Sequence, residues 1–116
     1  MPILNKKDVP VEELSPGTER WALVDSSKGA ASLSVGDVVV ASGSDVHTHI
    51  HPTEEAMVIL EGEIDAILGQ DTVTVSAGQT VLAPAGVRHG FVNRSGAPAR
   101  IMAIFPTADM ERTLVD

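Results

Sequence analysis

Turn-forming residues interrupt this chain at short, near-regular intervals, a spacing that leaves room for strands but for no long helix. The breaks are Pro16-Gly17, Ser26-Ser27-Lys28-Gly29, Ser42-Gly43-Ser44-Asp45, Glu61-Gly62, Gly69-Gln70-Asp71, Ala77-Gly78, Pro84-Ala85-Gly86 and Arg94-Ser95-Gly96-Ala97-Pro98. Between them lie β-favouring segments at residues 19–24, 31–35, 37–41, 46–51, 55–60, 64–68, 72–76, 80–83, 87–93 and 100–105. Gly36 is expected to be a bulge or a turn, and Pro52, with no N–H to give a ladder, stops the strand before it. Thr72-Val73-Thr74-Val75 alternates with a period of two, the mark of a half-buried strand. Residues 8–14 are expected to form a turn or short strand, and the polar residues 107–116 a terminal turn or helix. The predicted class is all-β, a sandwich or barrel of antiparallel strands whose closure protects their edges.

Composition then removes whole classes of function. At 116 residues, 43% hydrophobic and 21% charged, the chain suits one globular domain spanning 1–116, with a core that needs no disulfide or metal to fold. Eight Lys and Arg against sixteen Asp and Glu leave a formal charge of −8, which repels phosphate backbones and anionic lipid. No nucleic-acid or membrane partner is expected, and no apolar run approaches the ~20 residues of a membrane span. The opening Met1-Pro2-Ile3-Leu4-Asn5-Lys6-Lys7 has no apolar stretch behind its charges, so a cytoplasmic location is expected. There is no cysteine and no tyrosine. Thiol and phenol chemistry are therefore absent, leaving His, carboxylates, Arg, Lys, hydroxyls or a metal.

The histidines are the concentrated chemistry. His47, His49 and His51 recur at intervals of two in one expected strand, which places them on one face. Such a face is poor packing inside an apolar barrel unless something satisfies the ring nitrogens, and a divalent cation does so directly. Glu55 follows the Pro52 break and returns a carboxylate beside them, while His89 lies in a second segment punctuated in the same way. A surface strand whose histidines merely face water is the alternative.

These spacings resemble the cupins. The first cupin motif, G-x5-H-x-H-x3-E-x6-G, is matched by Gly43, His49, His51, Glu55 and Gly62, over residues 43–62. The second, G-x5-P-x-G-x2-H-x3-N, is matched by Gly78, Pro84, Gly86, His89 and Asn93, over residues 78–93. The resemblance implies a double-stranded β-helix, or jelly-roll barrel, with a short N-terminal arm. It also implies one divalent transition metal (Mn, Fe, Ni, Co or Zn) held by His49, His51, Glu55 and His89. Gly43, Gly62 and Gly78 would sit at reversals needing positive φ or close approach, and the Asn93 amide would hold the following turn.

Strand parity adds a pocket wall of Met57, Ile59, Phe91, Ile101 and Ala103, residues that could equally be plain barrel core. His47 stands outside the motif ligands. It is expected to carry protons beside the site or to face solvent, with Glu55 the other candidate proton carrier. The expected function is a metalloenzyme acting on a small oxygenated chelating substrate: a hydroxy or keto acid, a diketone or a sugar acid. Dioxygenase, isomerase, cyclase and glyoxalase-like chemistry all share such a site. The alternative is a metal-dependent binding module without turnover. Apolar residues on both faces of 55–60 need a cover, so a homodimer is expected.

Overall fold

The computed structural model describes residues 2–115, which form eleven strands and two short 3-10 turns, Lys6–Asp8 and Ser26–Lys28. In chain order the strands are β1 (Val11–Ser15), β2 (Thr18–Val24), β3 (Ser34–Val40), β4 (Asp45–Ile50), β5 (Glu55–Glu61) and β6 (Glu63–Leu68). Then come β7 (Asp71–Ser76), β8 (Thr80–Ala83), β9 (His89–Val92), β10 (Ala99–Phe105) and β11 (Thr113–Leu114). They pair antiparallel into two sheets, one ordered β1-β2-β3-β10-β5-β8 and the other β11-β4-β9-β6-β7. This is the double-stranded β-helix. No helix among the described residues is long and apolar enough to cross a membrane.

Alternation decides which side chains fill the space between the sheets. Glu55, Met57 and Ile59 point inward from β5, as do Ala99, Ile101, Ala103 and Phe105 from β10. Val38 and Val40 join them from β3, with Ile64, Ala66 and Phe91 from the opposite sheet. Ile59, Ile64 and Ile101 are at most 2% exposed, and each such side chain contributes ~1.5–3 kcal/mol by leaving water. Gly62 shows why a tight reversal here takes glycine. Its φ is +81°, and a Cβ would stand 2.5 Å from the Pro98 carbonyl oxygen. Asn93 is fully buried and ties the next turn as expected: its amide donates to the Val40 and Ala97 carbonyls, and its oxygen accepts from Ser95.

Three expectations need correction. Gly36 is neither a turn nor a bulge; it runs in register opposite Ala22 and Ala103 inside one continuous β3. The absent Cβ serves Arg20, whose Nε lies 2.9 Å from where that atom would stand. The alternation in β7 does not mark a half-buried strand, because Val75 is buried while Val73 is 56% exposed on a sheet edge. Residues 107–115 form no helix: β11 pairs with β4 at Ile50 and His49, and Asp116 lies outside the described residues. Arg100 makes a bidentate pair with Asp37, which is 1% exposed, through contacts of 3.1 and 2.9 Å. Burial alone would raise the Asp37 carboxyl, but hydrogen bonds from Arg100 and Lys6 bring it below its usual range.

Candidate metal centre

One irregularity in β4 decides which histidines enter the barrel. β4 pairs with β9 at Val46↔Phe91 and again at His49↔His89, so three steps along β4 match two along β9. That bulge breaks the parity of the strand. Val46 and His49 both reach the interior, whereas His47 turns outward and is exposed, so His47, His49 and His51 do not share a face. Gly90, on β9, permits the close approach: a Cβ there would lie 2.6 Å from the Val46 carbonyl oxygen.

His49, His51, Glu55 and His89 converge, all buried, with one potential ligand atom from each lying within 4.8 Å of the others. Three backbone carbonyls orient the rings. The Nδ1 of His49 is 2.7 Å from the His47 oxygen, that of His51 is 2.6 Å from Glu111 oxygen, and that of His89 is 2.9 Å from Val87 oxygen. With Nδ1–H donating outward in each ring, every Nε2 is left facing the others and Glu55. Glu55 Oε1 lies 2.7 Å from His89 Nε2 and 3.3 Å from His51 Nε2. The His51 contact lacks hydrogen-bond geometry, so its Nε2 is buried without a hydrogen-bond partner. A buried, unsatisfied imidazole lone pair beside two more and a carboxylate is a donor set that fits a divalent transition ion.

The electrostatics agree. Burial pushes the His49 imidazole down to about 4, which keeps it neutral and able to donate a lone pair. Burial also works against a charge on His89, but the hydrogen bonds to Glu55 and Val87 outweigh it and hold the ring above its usual value. For Glu55 burial pulls upward, yet the nearby His51 ring and the hydrogen bond with His89 leave it below the ordinary carboxyl value. With no ion bound, a proton between His89 and Glu55 occupies part of the place a cation would take. A stability maximum follows for metal-stripped protein. Above pH 6.5, stability falls as the raised His89 loses its proton. Below 6.5, it falls because unfolded His49 gains a proton that the folded ring resists down to about 4, and below 4.5 Glu55 adds to the loss. Urea unfolding of chelator-treated protein from pH 4 to 8 should therefore peak near pH 6.5. A maximum displaced to pH 8 would contradict these assignments.

His49, His51 and Glu55 line one side of an open-mouthed cavity of about 50 Å³. Of the expected wall residues, Met57, Phe91, Ile101 and Ala103 line it, while Ile59 is packed into the core beyond it. His47 does not line it; what His47 gives the site is its carbonyl. Sequence reasoning missed Arg20, Leu14, Met110 and Arg112 on this wall. They come from the N-terminal hairpin and the C-terminal tail, far along the chain from the two motifs.

The cupin domain family matches residues 36–105. The tetracenomycin polyketide synthase protein TcmJ of Streptomyces glaucescens is 30% identical over 87 residues, 74% of this chain. The matched stretch spans only 58% of that relative's length. Among solved structures, the polyketide cyclase RemF from Streptomyces resistomycificus superposes with a TM-score of 0.81 at 23% identity, covering 100% of this chain and 87% of that one. Bacillus subtilis oxalate decarboxylase, a protein with Mn(II) centres, superposes with a TM-score of 0.82 at 21% identity, covering 94% of this chain and 30% of that one.

Proposed function

This chain belongs to the cupin family, and on that premise we propose that it is a divalent-metal enzyme for a small oxygenated substrate bound by chelation. Keto acids and diketones are the favoured class, with cyclase-type chemistry. The observation that carries the proposal is the convergence of three Nε2 atoms and one carboxylate beside a cavity whose remaining wall is apolar except for Arg20 and Arg112. The resemblance to TcmJ, a polyketide synthase protein, and the fold shared with the polyketide cyclase RemF support polyketide-type cyclase chemistry as the first reaction to test.

A bound divalent ion would supply Lewis acidity toward a chelated carbonyl or enolate oxygen. Mn, Fe, Co, Ni and Zn all suit these nitrogen and oxygen donors. The residues do the rest. The three histidines would hold the ion through Nε2, their Nδ1–H groups being anchored on carbonyls. Glu55 brings the one negative charge, and its Oε2, with no hydrogen bond among the described residues, is the atom able to hold a proton near a substrate carbon. Met57, Phe91, Ile101 and Ala103 keep water from the reacting end. His47, exposed, has no part in this scheme.

A second reading, a binding module without turnover, draws on one observation: apart from His49, His51 and Glu55, the ionisable side chains lining the cavity among the described residues are arginines, which cannot serve as a base. A panel of β-diketones and keto acids, assayed for turnover with each of the five metals beside calorimetric binding, separates the two. Turnover with at least one metal is expected. Metal-dependent binding without conversion of any member would replace the enzyme with the module.

The outer face of the six-stranded sheet carries a shallow groove of Leu33, Ala56, Leu82, Ile104, Phe105 and Pro106, with Glu54 as its one charged residue. We propose that a second copy of the chain covers it, giving a homodimer. Light scattering should then report twice the 12.1 kDa chain mass, and a monomer mass independent of concentration would exclude the dimer.

A further inference from the structure

We propose that the cavity takes its substrate as an acid, with Arg20 binding a carboxylate remote from the metal-donor cluster. This deepens the chelating-site proposal and rests on it. Arg20 projects inward from β2 beside Val38 and lines the same cavity as His49, His51 and Glu55. Its side chain is only 12% exposed, and its sole polar partner among the described residues is Glu12, 3.3 Å from Nη1 and itself 51% exposed. A guanidinium has five N–H donors in a planar fork suited to a carboxylate, so most of that capacity is free for a ligand.

The chain also keeps a slot open for this group. Gly36 sits directly beneath it, and a Cβ there would stand 2.9 Å from Nε and 3.4 Å from Nη2. A cross-strand pair with an exposed glutamate is worth ~0–1 kcal/mol and needs no such slot. Nor is the cation spill-over from a basic surface, since the chain's formal charge is −8. Arg112, reaching the cavity from the tail, adds a second positive charge on a wall otherwise made of residues such as Leu14, Val46 and Phe91. In the sheet, β2 stands three strand positions from the β5 that carries Glu55, ~14 Å at the usual spacing. The two side chains shorten that span to a gap bridged by a short carbon chain or a ring system. The ligand class is therefore an acid with chelating oxygens at one end and a carboxylate at the other.

The test is calorimetry on Mn(II)-loaded protein with two series of matched length. One consists of 2-oxo monoacids such as 2-oxohexanoate, the other of 2-oxo diacids such as 2-oxoadipate, which add only the distal carboxylate. At the best length the diacid should bind ~10-fold or more tightly than its monoacid, the usual worth of a charge-assisted pair. Arg20→Gln should abolish that advantage and leave monoacid binding and metal content unchanged. Gly36→Ala, which dislodges the guanidinium without removing it, should do the same, a result that lost packing alone would not give. No diacid advantage at any length, or an advantage that survives Arg20→Gln, overturns the proposal while leaving the chelating site standing. Failure of both series to bind protein shown to contain metal overturns the chelating site and this inference with it.

Discussion

Replacing His51 with Ala is expected to empty the metal centre while the barrel stays folded. The ring is 3% exposed, its Nε2 is the one buried donor of the cluster lacking a hydrogen-bond partner, and its Nδ1 is already anchored on Glu111. Losing a partner outside the ligands usually costs 10–100-fold in metal affinity, so losing the ligand itself should cost ~10³-fold or more. The structural penalty is smaller. A ring stacked edge-on against Phe105 is lost, for ~1–3 kcal/mol against the ~5–15 kcal/mol by which domains are stable. Competitive titration against a chelating dye, with circular dichroism alongside, measures both quantities. His47→Ala is the control, and because the β4 bulge turns that ring outward it should leave metal affinity unchanged. The opposite pattern, His47→Ala emptying the site and His51→Ala leaving it loaded, would show that the β4 register is wrong.

Removing residues 107–116 should weaken the metal centre ~10–100-fold and open the cavity, although none of the described side chains of that segment belongs to the donor cluster. The tail runs back across the mouth of the barrel. Ser26 N–H donates to the Ala108 carbonyl, β11 pairs with β4 beside His49, and Thr48 Oγ1 donates to the Val115 carbonyl. On the way, the Glu111 carbonyl accepts from His51 Nδ1 at 2.6 Å, while Met110 and Arg112 form part of the cavity wall. Without the tail, the His51 ring loses the acceptor that fixes its tautomer and orientation. The discriminating variant is Glu111→Ala, which keeps the backbone carbonyl and should bind metal like the parent chain. Wild-type affinity in the truncated protein would show that the carbonyl does not orient His51.

The contrast between these two variants follows what was legible in the chain. The glycines, prolines and donor residues of the two motifs are local. Each turn depends largely on residues within a few positions, so Gly62, with its positive φ, and Asn93, which ties Ser95 and Ala97, did in the structure what their spacing implied. The outward turn of His47 was not legible, because strict alternation assumes an unbroken ladder and a bulge depends on the partner strand, here on Gly90 of β9. The tail was misread for a related reason. A two-residue strand has no periodicity to detect, and its pairing is made with β4, some sixty residues earlier. Arg20 and Gly36 are of the same kind: neither residue alone indicates a ligand, and only the β2–β3 register brings the guanidinium over the missing Cβ.

Elemental analysis of the protein purified without added metal tests the central claim most directly. If His49, His51, Glu55 and His89 form a metal centre, each chain should carry about one divalent transition ion, removable by a strong chelator and restored on addition of Mn, Fe, Co, Ni or Zn. Protein that is isolated without such an ion, and that takes up none of the five at a ratio of one per chain, would contradict the account.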